Sequence, residues 1–355
     1  MQKAVATVAQ LTDFDEVIDV RSPAEFAEDH IPGAVNCPVL DDAERARVGT
    51  LYKLESAFAA KKLGAALVAR HIAEHIEARF LDRPREWKPL IYCWRGGKRS
   101  GAMTHVLRQI GWHACALDGG YKSYRRDVVV ELAELPRRFA YRVIAGATGS
   151  GKSRLLEALV EQHAQALDLE ALAAHKGSVL GGLPDETQPS QKMFETRLLD
   201  AQRRLDPARP VYIEAESRKI GALQLPDALL DSMRASPCLR IEAGLAARVD
   251  FLMRDYDYFL ADPPLLKQRL ACLQGLQSGE TLQRWQGLVD ACDWPALVGE
   301  LLEHHYDPLY RRSQGRNYAR FPQAAVLATA DLSPSSLRQL ASRLLADEAT
   351  PRRHP

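Results

Sequence analysis

The sequence predicts an α/β protein with two domains, each built on a parallel sheet, and a mainly helical C-terminal part. Three observations lead there. Short apolar strand runs alternate with helical stretches over residues 1–135. Pro136 ends that alternation, and a fresh strand, "FAYRVIAG" (139–146), runs into a glycine-rich turn and a helix. After residue 245 the apolar spacing is almost wholly helical. The predicted division is therefore 1–135, 136–245 and 246–355, the last segment completing the second domain.

The elements follow in order. "EVIDV" (16–20) is a short buried strand, and "AEFAEDH" begins a helix after Ser22-Pro23. "PLIYC" (89–93) is a second strand, "SGAMTHVLRQIGW" (100–112) a packed helix, and "ACALDGGY" a strand entering a turn. In the second domain, "RLLEALVEQHAQAL" (154–167) reads as one helix, while "PVYIEAES" (210–217) and "SPCLRIEA" (236–243) read as strands. Four helical stretches then follow, ending at "WPALVGELLEHHYDPLY". "AAVLATADL" (324–332) returns one strand before a closing helix at 334–346. The tail "ATPRRHP" is expected to fray.

Composition narrows the function classes. At 355 residues the chain exceeds one typical core. With 46% hydrophobic and 26% charged residues it is ordinary for a globular protein. No apolar run approaches a membrane span, and "MQKAVATVAQLTDFDE" lacks a signal peptide's apolar block, so a cytoplasmic address is expected. Six cysteines without CxxC spacing indicate neither a zinc site nor a disulfide framework. The net charge of +1 argues against indiscriminate nucleic-acid binding. Even so, "YKSYRRD" (121–127), "PRRFAYR" (136–142) and "YRRSQGRNYAR" (310–320) mix arginine with aromatics, which suits phosphate contact and base stacking.

Two stretches carry chemistry. "GATGSGKS" fits the P-loop pattern in its strand–loop–helix setting: Gly146, Thr148, Gly149, Ser150, Gly151, Lys152 and Ser153. Its backbone N–H groups converge on phosphate oxygens, Lys152 neutralises a terminal phosphate, and Ser153 offers a ligand for magnesium. Glu214 and Glu216, with Arg218 beside them, are candidates for the strand-end acid that such loops need. His175, Lys176 and Ser178 occupy a further loop suited to oxyanions.

The second stretch is "YCWRGGKRSG" (92–101). A cysteine between a buried strand and a helix N-terminus faces converging N–H groups, which lowers its pKa. Cys93 is the expected nucleophile. Arg95, Gly96, Gly97, Lys98 and Arg99 form the anion cradle around it.

"DVRSPAEFAEDHIPGAVNCP" (19–38) resembles the N-terminal signature of rhodanese-like domains, with Phe26, His30, Pro32, Gly33 and Ala34 at the family spacing. "YCWRGGKRSG" stands where those domains carry their catalytic loop, and "LDGGY" (117–121) resembles the segment after their next strand. The C-x5-R count resembles the wider, phosphatase-type loops, yet Tyr92 stands where a phosphatase would show histidine. The expectation is a loop that binds a bulky oxyanion without hydrolysing it. Joined to "GATGSGKSRLL", "LAAHKGSVLG" and "YIEAESRKIG", the whole order of parts resembles the tRNA 2-selenouridine synthase family.

That resemblance implies a selenotransferase acting on tRNA with wobble 2-thiouridine. It implies geranyl diphosphate and selenophosphate as co-substrates, a selenophosphate supply and no tightly bound cofactor. The chemistry of the two loops suits Lys152 mainly to S-geranylation, where it stabilises the departing diphosphate, and Cys93 mainly to selenation, either carrying selenium as a selanyl-cysteine or only activating selenophosphate. Tyr121, Tyr124, Tyr310 and Tyr318 are candidates for holding the extruded base. The helices after 245 offer a geranyl pocket, although core packing explains them equally well. Two rivals share these features: a rhodanese–kinase fusion acting as an ATP-dependent sulfurtransferase, and a non-enzymatic RNA-binding protein. Oligomeric state is not legible.

Overall fold

The computed structural model describes residues 5–95 and 97–349. Gly96 of the expected cradle, and residues 350–355 of the tail, lie outside the described residues. The chain divides into two units, Met1–Glu131 with Ser190–Asp200, and Leu132–Pro189 with Ala201–Pro355. The return of residues 190–200 to the first unit has no counterpart in a linear division of the sequence.

In the first unit, strands β1 (Val5–Ala6), β2 (Glu16–Asp19), β3 (Val35–Asn36), β4 (Pro89–Tyr92) and β5 (Cys115–Leu117) form a parallel sheet in the order β1-β5-β4-β2-β3. All four residues of β4 are buried, as an unbroken apolar run with neighbours on both sides requires. Helix α1 (Pro23–Glu28) starts at a capping box in which the Ser22 N–H donates to Glu25 Oε2 at 3.2 Å, with Pro23 preset for the first turn. Helices α2 (Asp42–Leu54) and α3 (Ala57–His75) fill a span that the sequence reading leaves blank. Leu67, Val68 and Ile72 of α3 join Ile18, Ile91, Cys93, Met103 and Leu107 in the core. Helix α4 (Lys98–Ile110) leaves the cysteine loop and ends at Gly111, whose φ of 117° suits glycine. Helix α5 (Gly120–Glu134) closes the segment.

The second unit holds a parallel sheet in the order β12-β11-β6-β8-β7. Its strands are β6 (Tyr141–Gly146), β7 (Gln165–Leu167), β8 (Val211–Glu214), β11 (Cys238–Glu242) and β12 (Ala325–Ala328). A small antiparallel ribbon, β9 (Lys219–Ile220) with β10 (Leu223–Gln224), lies between. Helix α6 (Lys152–Glu161) follows the P-loop and is shorter than the predicted 154–167. His163 turns the chain with φ of 65°, and Gln165–Leu167 pairs with β8 instead. Tertiary pairing there overrides a helical local preference.

The helices that follow are α7 (Leu169–Ala173), α8 (Gln191–Arg203, the returning helix), α9 (Asp227–Ala235) and α10 (Leu245–Asp255). Next come α11 (Asp257–Ala261), α12 (Pro263–Ala271), α13 (Gly279–Asp290), α14 (Trp294–Leu301), α15 (Asp307–Asn317) and α16 (Pro334–Ala349). Ile144, Leu155, Leu159, Ile241, Leu337 and Leu344 make the sheet core. Phe259, Leu266, Leu270, Trp285, Leu297 and Leu301 make a separate core among the helices. Among the described residues, no helix is long and apolar enough to cross a membrane.

Candidate active sites

Cys93 follows the buried end of β4, and α4 begins five residues later. Gly97 donates its N–H to Cys93 Sγ at 3.3 Å, and Ser100 donates its hydroxyl at 3.2 Å. Burial pushes the thiol pKa up, but the Ser100 hydroxyl and the N–H groups of Ser100, Gly97 and Arg95 outweigh it, so the pKa falls below the usual thiol value. Sequence reasoning passed over Ser100. Its position one turn into α4 was the available signal.

The expected guanidinium contribution is corrected here. Arg99 donates to Glu25 Oε2 at 2.7 Å, and Arg95 on the loop and Lys98 at the start of α4 are exposed. The acidity of Cys93 thus comes from neutral dipoles. Below the loop, buried Arg21 clasps Asp19 at 2.6 Å, donates to the Asp29 carbonyl and stacks 4.0 Å over the Tyr121 ring. Tyr121 Oη donates to Asp29 at 2.7 Å. Tyr121, Tyr124 and Tyr318 are all but fully buried, so these three are packing residues and not platforms for an extruded base. Tyr92 accepts the Ile31 N–H at 3.2 Å, a structural use of the position where a phosphatase would place histidine.

In the second unit, the P-loop joins β6 to α6. Gly149 and Gly151 both have φ of 77°, a conformation that favours glycine. A Cβ on Gly149 would meet Leu252 of α10 at 2.8 Å. Lys152 Nζ donates to the Gly146 carbonyl at 3.3 Å, and Ser153 Oγ donates to Glu170 at 2.7 Å. Buried Arg248 of α10 donates to the Thr148 carbonyl at 2.9 Å and grips Asp307 through two further bonds of 3.0 and 2.6 Å. Arg248 was missed because nothing in the sequence links positions 148, 248 and 307.

The carboxylates divide by role. Glu214 is fully buried and accepts the N–H groups of Leu169 and Glu170 at 2.6 and 2.9 Å, so it anchors the start of α7. Burial, with Asp168, Glu170 and Glu216 nearby, raises its pKa well above the carboxylate range. Glu216 is the acid that feels Lys152; burial and Glu170 lift its pKa to about 8 against that cation's pull. Arg218 turns away to Asp227 at the surface.

The loop at 175–178 is also corrected. Lys176 is bound to Asp255 at 2.8 Å and lies 4.2 Å over the Tyr256 ring. Burial lowers the His175 pKa. Ser178 lines an apolar pocket with Thr148, Leu252, Tyr256, Leu297 and Leu301. The P-loop thus borders a greasy cavity built from α10 and α14.

A parallel-sheet domain with a cysteine anion loop, joined to a P-loop α/β unit, defines a group-transfer protein of the rhodanese-plus-P-loop class. Residues 4–127 match the family described as "Rhodanese-like domain", and residues 139–263 match "tRNA 2-selenouridine synthase AAA domain". A tRNA 2-selenouridine synthase of Nitrosomonas europaea is 39% identical over 68% of this chain and 63% of its own length. Those of Alcanivorax borkumensis and Marinobacter nauticus are each 34% identical over 83% of this chain, and cover 88% and 87% of their own lengths. The chain belongs to the tRNA 2-selenouridine synthase family.

Proposed function

We propose that the chain converts wobble 2-thiouridine of tRNA to 2-selenouridine in the cytoplasm, through an S-geranylated intermediate. The observation that carries this reading is the apolar pocket bordering the P-loop at Thr148. That pocket offers almost no polar partners for the ribose and base of a nucleoside triphosphate, whereas its greasy walls suit a prenyl chain. Geranyl diphosphate then has its diphosphate in the loop and the start of its chain among Leu252, Tyr256, Leu297 and Leu301, where a pocket of about 70 Å³ must widen to take all ten carbons.

In the first step the base sulfur attacks C1 of the geranyl group, the C–O bond breaks, and the N3 proton leaves. Lys152 and the loop N–H groups stabilise the departing diphosphate. Ser153 and Glu170 present the hydroxyl and carboxylate that a magnesium ion bound to phosphates would use. Such an ion would add positive charge at the leaving group.

The second step replaces geranylthiol by selenium. Moving selenium onto Cys93 as a selanyl group would leave phosphorus reduced to phosphite. Attack of the Cys93 thiolate on phosphorus breaks the P–Se bond, forms a P–S bond and releases selenide with no redox change. Selenide then attacks C2 of the base and geranylthiol departs, while water frees the phosphoryl group from Cys93. Electron balance favours this second route.

Nucleoside mass spectrometry after incubating 2-thiouridine tRNA with both co-substrates tests the scheme. Lys152→Ala should leave 2-thiouridine unchanged, and Cys93→Ser should accumulate the S-geranyl nucleoside. Arrest of both variants at 2-thiouridine, or a requirement for ATP in place of geranyl diphosphate, would overturn it.

A further inference from the structure

A second cavity borders the same P-loop and differs from the apolar pocket in chemistry. It is an open cleft of about 490 Å³, lined by Ala147 and Ser150 of the loop, Arg240 and Glu242 of β11, Arg248 of α10 and Tyr310 of α15. It lies at the carboxyl ends of β6, β11 and β12. The chain leaves β6 for β7 and β8 on one side, and β11 and β12 lie on the other. Open parallel sheets bind ligands where the strand order reverses in this way.

The lining is built to receive something polar. Ser150 is 1% exposed, yet its hydroxyl has no hydrogen-bond partner. A buried hydroxyl without a partner is unfavourable unless a ligand completes it. Arg240 pairs with Glu242 at 2.5 Å through one terminal nitrogen, while its Nε is unpartnered. Arg248 is locked by Thr148 and Asp307, which makes that wall rigid. Tyr310 is half-buried and meets Phe321 edge-on at 6.3 Å between ring centroids. Of the four tyrosines singled out as base platforms, Tyr121, Tyr124 and Tyr318 are almost fully buried, whereas Tyr310 lines this cleft. Arg311 and Arg312 of the same helix are exposed beside it.

We propose that this cleft receives one extruded pyrimidine nucleotide of the RNA substrate. The Tyr310 ring covers the base, Ser150 and Arg240 bond its polar edge, and Arg311 and Arg312 meet the flanking phosphates. A planar heterocycle carrying both donors and acceptors matches a wall that offers a guanidinium, a carboxylate, a hydroxyl and an aromatic face. The inference rests on the reading that the substrate is an RNA base, and it adds where on the chain that base is held.

The test uses the full chain and a short anticodon stem-loop RNA. With 5-iodouridine at the wobble position, irradiation of the wild-type complex should attach the RNA to the peptides carrying Tyr310 or Arg240. Tyr310→Leu should weaken stem-loop binding by about tenfold or more, and Tyr310→Phe by no more than about twofold, as loss and retention of one stacked base predict. Geranyl diphosphate binding should be unchanged in Tyr310→Leu and Arg240→Gln. Crosslinks confined to other peptides would overturn the inference even if the protein modifies the RNA, leaving the functional reading intact. A loss of ATP binding rather than RNA binding in these variants would also overturn it, by making the cleft a nucleoside triphosphate site. Absence of both RNA binding and nucleoside modification would sink the functional reading and this inference together.

Discussion

Ser100 is the side chain on which the acidity of Cys93 most depends, because its hydroxyl is the largest force opposing burial of the thiolate. Ser100→Ala should raise the thiol pKa and slow alkylation by iodoacetamide at pH 7 by roughly three- to tenfold, the range expected when one such donor is lost. An unchanged rate–pH profile would mean that the backbone N–H groups suffice. Glu25 acts in the opposite sense on the cradle. The Arg99 guanidinium beside it holds its carboxyl below the usual range despite burial, so the pair is ionised at neutral pH. Glu25→Gln should free Arg99 and tighten thiophosphate binding, measured by calorimetry, by about threefold to tenfold. Weaker binding would instead make Glu25 the residue that aims Arg99. Glu216 supplies a pH signature. Its folded pKa of about 8 lies above the ordinary carboxylate value, so its stabilising contribution is complete at low pH and is lost as pH rises through about 8. The melting temperature of the ligand-free protein should therefore fall between pH 5 and 8.5 more steeply than that of Glu216→Gln. Parallel curves would contradict this.

Among the elements, the P-loop shows what a sequence discloses and what it withholds. Its glycines, Lys152 and Ser153 were legible because backbone geometry forces those residue types into that spacing. The grip of α10 on the loop was not, since Arg248 and Leu252 reach Thr148 and Gly149 across about a hundred positions. For the same reason Glu214 and Glu216 looked alike at the end of β8, although one caps α7 and the other feels Lys152. The cysteine loop was legible in its nucleophile and its glycines, while the diversion of Arg99 depended on where α1 packs. Gly149→Ala tests the grip directly. A methyl group there meets Leu252 with φ at 77°, so the variant should lose about 1–3 kcal/mol of stability and most diphosphate binding. Adding Leu252→Ala should relieve the clash but not the backbone strain, returning part of the loss.

Across the whole molecule, the returning helix α8 matters most. Within the first unit, Thr196 donates to Asp29 at 3.2 Å, Lys192 pairs with Glu28 at 2.6 Å, and Glu195 binds Arg125. Asp29 is the same buried carboxylate that accepts from Tyr121 beside the cysteine strand. A fragment ending at residue 131 should therefore melt lower than the same unit in the intact chain. A synthetic peptide of residues 189–204 should raise its melting temperature in a dose-dependent way. A fragment as stable as the parent, and indifferent to the peptide, would show that α8 is only a surface appendage.

The same return imposes an order on biosynthesis. The first unit is open until residue 200 has emerged, 69 residues after its main segment ends at 131. At ribosomal speeds of about 5–20 residues per second, the nascent chain waits roughly 3–14 s with the α8 docking face bare. Chaperone capture should concentrate in that interval, and slowing translation between codons 132 and 200 should lengthen it.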